Sequence, residues 1–107
     1  MKAKAKVPSV IPVLGILVFV EFSDDFAKEH GTDGEFDPNT RTIKLDSLLL
    51  QNPITLKETL NHEIGHAWLE YSGLRQSLNG DAQEMAVQTY AVSIEQIYTC
   101  EFLPHLI

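Results

Sequence analysis

Cysteine occurs once in the 107 residues, at Cys100. A lone thiol rules out an intrachain disulfide, and with it the stapled class of small secreted domains. It also rules out a zinc site built from several thiolates. Positive charge is scarce too: 8 Lys and Arg stand against 15 Asp and Glu, a net charge of −7. No basic stripe is offered to phosphates, so a nucleic-acid partner is not expected. The basic cluster Lys2, Lys4 and Lys6 reads as a solubilising tail. With 6 Gly and 5 Pro the chain shows no linker, and neither repeats nor low-complexity stretches are visible.

Long apolar runs are missing as well. The nearest approach, residues 7–20, is interrupted by Pro8 and Pro12 and falls short of the roughly 20 residues that a membrane-spanning helix needs. The lysines ahead of it imitate the start of a signal peptide, yet no small-x-small cleavage site precedes Glu21-Phe22-Ser23-Asp24. The expectation is a cytoplasmic protein with no membrane partner; secretion is the alternative. A chain of 107 residues, 44% hydrophobic and 21% charged, is expected to form one domain with a modest core, spanning residues 1–107.

Residues 1–52 read as strand-rich. Residues 13–22, with their Val, Ile and Phe, suggest a buried strand. A short helical turn fits residues 24–30, followed by breakers at Gly31 and Gly34. Asp37-Pro38-Asn39 is turn chemistry and residues 42–45 alternate polar and apolar, which predicts a hairpin whose second strand lies near or at a sheet edge. An edge strand can take up an extended peptide through its backbone.

A helix over residues 53–72 is well punctuated. Asn52 suits the N-cap and Pro53 the first helical position, with Thr55 and Glu58 as an alternative capping box. Gly73 suits a left-handed stop. Leu56, Leu60, Ile64, Ala67 and Tyr71 recur at helical spacing as a core stripe. His62 and His66 lie nearly opposite, so the helix needs cover on both sides, and Gly65 marks close approach by a neighbour. After a short connection, residues 81–100 form a second amphipathic helix. Asp81 is its candidate cap, and Met85, Val87, Ala91, Ile94 and Tyr98 are its apolar positions. The apolar tail, residues 102–107, is expected to pack down.

The chemistry is concentrated in His62-Glu63-Ile64-Gly65-His66. Chance produces such an HExxH pentapeptide in about one chain in a hundred of this composition. Positions i and i+4 share a helix face, so both imidazoles can reach one metal ion. Zinc accepts neutral histidine nitrogens and keeps a position open for water, and Glu63 is placed to act as general base on that activated water. A third ligand is required. Glu70 lies about 12 Å along the axis from His62, too far to share its ion. A second helix doubling back through a short loop brings Glu84 level with His66, whereas Glu95 would sit about 16 Å further along. Asp81 is the reserve, and with Asp81 as N-cap Glu84 could instead complete a capping box. His30 and His105 are further possible ligands, and Tyr90, Tyr98 and Arg75 are open candidates for stabilising an oxyanion.

The residues Gly34-Glu35-Phe36-Asp37, then Thr42-Ile43-Lys44-Leu45-Asp46, then the run from Leu56 to Ala67 with its HEIGHA, then Glu84 on a helix, resemble a minimal gluzincin metallopeptidase. ImmA/IrrE-type proteases and their phage- and plasmid-borne kin are the relatives suggested. The resemblance covers about residues 34–98. It implies an α+β fold of zincin type, a short mixed or antiparallel sheet packed on the HExxH helix and a glutamate helix following it. It further implies Zn2+ held by His62, His66 and Glu84, Glu63 as catalytic base, and a peptide or protein substrate, for instance a regulatory protein. The chain departs from that family in carrying no helix-turn-helix module and in its short spacing from His66 to Glu84. The alternative from another class is a non-catalytic, zinc-stabilised binding module.

Overall fold

The computed structural model describes residues 7–99, with side chains described up to residue 91. Alternating apolar residues build the middle of its sheet. In β2, Ile16–Ser23, Val18 and Val20 are buried while Leu17, Phe19 and Glu21 are exposed. Ahead of it β1, Val10–Val13, pairs antiparallel with β2. The single buried strand expected over residues 13–22 is therefore a hairpin, buried on one face only. Its two-residue turn is Leu14-Gly15, both at positive φ (49° and 80°), as a type I′ turn requires. Asn or Asp usually stands where Leu14 does.

The short α1, Phe26–His30, fits the turn expected there, and Phe26 is buried. β3, Gly34–Asp37, and β4, Thr42–Asp46, form the expected hairpin, with Asp37 Oδ1 accepting the Asn39 N–H at 2.9 Å in the turn. Strand order is β1-β2-β4-β3, and β2 runs parallel to β4. The second strand of that hairpin is thus interior, with Ile43 and Leu45 fully buried, and the edge belongs to β3. The expectation placed the edge on β4 because its parallel pairing with β2 is a long-range contact. The buried Asp46 carboxylate accepts the N–H groups of Ala27 and Leu48, each at 2.8 Å. These bonds hold its carboxyl below the ordinary range, and they fasten α1 and the 3-10 turn Ser47–Gln51 to the end of β4.

Helix α2, Pro53–Ser72, begins and ends as its caps dictate: Asn52 Oδ1 accepts the Thr55 N–H at 3.4 Å, and Gly73 takes φ 80°. Leu56 and Ala67 enter the core with Val13, Val18, Val20, Ile43, Leu45 and Leu49, and Leu60, Ile64 and Tyr71 pack against it. A 3-10 turn, Leu74–Ser77, leads to α3, Gly80–Thr99. The cap of α3 is Asn79, whose Oδ1 accepts the Ala82 N–H at 2.8 Å, rather than Asp81. Leu78 is extended after that turn and the helix begins at Gly80, directly behind Asn79. Val87 and Ala91 are buried, whereas Met85 is 72% exposed and adds nothing to the core. Ile94, Tyr98, Cys100 and residues 102–107 lie outside the described side chains.

The result is a small α+β domain with a four-stranded mixed sheet and three α-helices among the described residues. None of these helices is long and apolar enough to cross a membrane.

Candidate metal centre

Helix α2 meets the sheet on one side and α3 on the other, and Gly65 sets the second approach. A Cβ there would come to 3.0 Å from Val87 Cγ1 and 3.3 Å from the Val87 carbonyl oxygen. Trp68 stacks on Tyr90 across the same interface, at 5.6 Å between centroids and 11° between planes. This close packing carries Glu84, one turn before Gln88 on α3, to the two histidines. Glu84 Oε2 lies 3.6 Å from His62 Nε2, and Oε1 lies 3.3 Å from His66 Nε2. One donor atom from each of His62, His66 and Glu84 falls within 4.8 Å of the others. With Asn79 as the cap, Glu84 stands beyond the first turn and completes no capping box.

The donor set suits a cation. His62 Nδ1 faces Gln88 Oε1 at 3.2 Å. With Nδ1 donating to that amide oxygen, a neutral ring presents Nε2 as an acceptor toward the Glu84 carboxylate, and a shared cation would join the two. Burial holds the His66 imidazole below its usual pKa, against the pull of Glu84, which favours the neutral ring a metal requires. Two imidazoles and a carboxylate gathered within 4.8 Å are a donor set that zinc accepts.

Glu63 lines the same cleft as the pair and is 8% exposed. Burial raises its pKa, opposed by His62 and by hydrogen bonding from the Phe36 backbone. That amide belongs to the free edge of the sheet. The Asp46 N–H donates to the Asp33 carbonyl at 2.9 Å, and ladder bonds alternate along an antiparallel pair. Gly34 and Phe36 consequently turn their backbone groups away from β4. Gly34 also lets β3 lie close to α2, since a Cβ there would meet Thr59 Cγ2 at 3.0 Å and Leu45 Cδ2 at 2.7 Å.

A cleft of about 460 Å³ runs between β3 and the helices, lined among others by Phe36, His62, Glu63, His66 and Glu84. Arg75 and Glu70 line it as well and pair with each other at 3.2 Å. The other sequence candidates fall elsewhere. His30 packs on Phe26 and Asp81 is outside the ligand group among the described residues. Tyr90 stacks on Trp68. Glu95, Tyr98 and His105 lie outside the described side chains. The sequence reading missed Gln88, although it lies four residues after Glu84 and so on the same face of α3, a signal available beforehand. It also missed the Phe36 amide, which only strand order places. No protein-family model, curated protein or solved structure matches this chain, so its functional reading rests on these residues and their geometry.

Proposed function

We propose that the chain is a zinc-dependent peptidase of gluzincin type, ImmA/IrrE-like in its motif, in which His62, His66 and Glu84 hold the metal and Glu63 is the general base. One observation carries the reading: Glu84 meets both HExxH histidines across the α2–α3 interface, beside a buried carboxylate and a free strand edge. Zinc, when bound, supplies a Lewis acid that lowers the pKa of water and polarises a carbonyl. An extended peptide laid along β3 finds the outward Gly34 N–H and Phe36 carbonyl, since the Phe36 N–H is turned to Glu63 and the Gly34 carbonyl accepts from the Thr32 hydroxyl. Its scissile carbonyl then lies beside His62 and Glu63. Glu63, made more basic by burial, takes a proton from the attacking water and passes it to the departing amine as the C–N bond breaks. Gln88 keeps the His62 ring in the tautomer that leaves Nε2 free. A regulatory protein is the substrate that the family resemblance favours.

Metal analysis and peptide hydrolysis test the proposal together. Wild type and Glu63→Gln should both retain near-stoichiometric zinc after purification, while Glu63→Gln loses roughly 10²–10⁴-fold in turnover. Glu84→Ala should lose zinc. Unchanged zinc in Glu84→Ala removes that residue from the ligand set, and retained turnover in Glu63→Gln rejects the mechanism. Zinc binding with no cleavage across a broad peptide library would leave a zinc-stabilised binding module instead of a peptidase.

A further inference from the structure

The cleft is uneven in charge along its length. Toward His66 the carboxylate of Glu70 is offset by Arg75 at 3.2 Å. Toward His62 a second recess of about 490 Å³ opens, lined by Thr32, Asp33, Glu58, Thr59, His62, Glu63, Gln88 and Ala91. Asp33 and Glu58 are exposed there, make no ion pair among the described residues, and no Lys or Arg lines the recess. Their placement follows from the fold. Glu58 stands one helical turn before His62 on α2, and Asp33 immediately precedes β3.

This recess is joined to the proposed reaction centre. Thr32, His62 and Glu63 line both it and the main cleft, and Glu63 is more than nine-tenths buried between them. A substrate residue next to the scissile bond therefore has room to place its side chain in the recess. The groups waiting for it are mostly acceptors: two carboxylates and the hydroxyls of Thr32 and Thr59, with Ala91 as an apolar wall. An ammonium or guanidinium on a long aliphatic stem matches that set, and a carboxylate side chain would be repelled. The net charge of −7 acts in the same direction by drawing basic peptides in.

We infer that Asp33 and Glu58 form a specificity subsite for a Lys or Arg side chain adjacent to the cleaved bond; this rests on the peptidase reading above. The test uses peptides identical except for Lys, Arg, Gln or Glu on either side of the scissile bond. Two readouts are taken: kcat/KM with zinc-loaded protein, and fluorescence-anisotropy binding to the Glu63→Gln variant. At one flanking position Lys and Arg should exceed Glu by about tenfold in both readouts, the scale of two partly solvated ion pairs. The ratio should shrink toward one in the Asp33→Asn/Glu58→Gln double variant, and should reverse in Asp33→Lys/Glu58→Lys. Cleavage without charge order, or a preference that survives the double variant, overturns this inference alone. A wild type that cleaves no peptide, with a Glu63→Gln variant that binds none, overturns the peptidase reading and this inference together.

Discussion

The face of α2 that meets the sheet is made of Leu56, Leu60, Ile64, Ala67 and Tyr71, whereas the face that meets α3 carries His62, Gly65 and His66. The first is an apolar stripe whose worth is the area it removes from water. The second is mixed, with polar atoms brought to within 3.6 Å of each other beside the tight seat of Val87 against Gly65. One helix thus divides its labour by angle. The sheet-facing side holds the fold, and the α3-facing side carries the candidate ligands, so damage to the two should be separable.

The largest expected effect falls on the sheet side. Leu56, 3% exposed, should cost about 2–5 kcal/mol of stability when replaced by Ala, read as a lower urea midpoint. Zinc bound per folded molecule should not change; a parallel loss of zinc would show that the two faces are coupled. Next comes Gln88→Ala, which removes the partner of His62 Nδ1 at 3.2 Å. Zinc affinity should fall about 10–100-fold while the midpoint of the metal-free protein stays within about 0.5 kcal/mol. An unaltered affinity would dismiss Gln88 as a positioning residue. The smallest effect sharpens the comparison most. Gly65→Ala crowds Val87, an overpacking cost of about 1–3 kcal/mol set against roughly 1 kcal/mol of regained helix propensity. Stability should change little, yet zinc affinity should drop several-fold as α3 and Glu84 shift outward. If competition with a chelator shows no drop, Gly65 does not govern how Glu84 reaches the histidines.

Legibility differed with the range of the interaction. Both ends of α2 were readable because Asn52, Pro53 and Gly73 act on their own backbone within a few residues. Helical rise and loop length, which are nearly local quantities, set Glu84 level with His66 along the axis but not its reach across to it. The cap of α3 went to Asn79 rather than Asp81 because both residues can cap, and the helix starts at Gly80, two residues earlier than expected from Asp81 as cap. The β1–β2 hairpin escaped notice because Leu14, at φ 49°, stands where Asn or Asp would have announced the turn. Met85 matched the helical pattern of apolar positions but faces solvent.

By itself the sequence determined that His62 and His66 share a helix face, that Glu63 lies between them, and where that helix starts and stops. The helical period and local capping need no other part of the chain to act. Only the tertiary structure decided that Glu84 and Gln88 reach those histidines, because that depends on how closely α3 seats against Gly65. It also decided that the Phe36 backbone at the edge of β3 meets Glu63, and that Asp33 and Glu58 line a recess with it. Strand order and a parallel β2–β4 pairing come from contacts distant in sequence, which local residue chemistry does not encode.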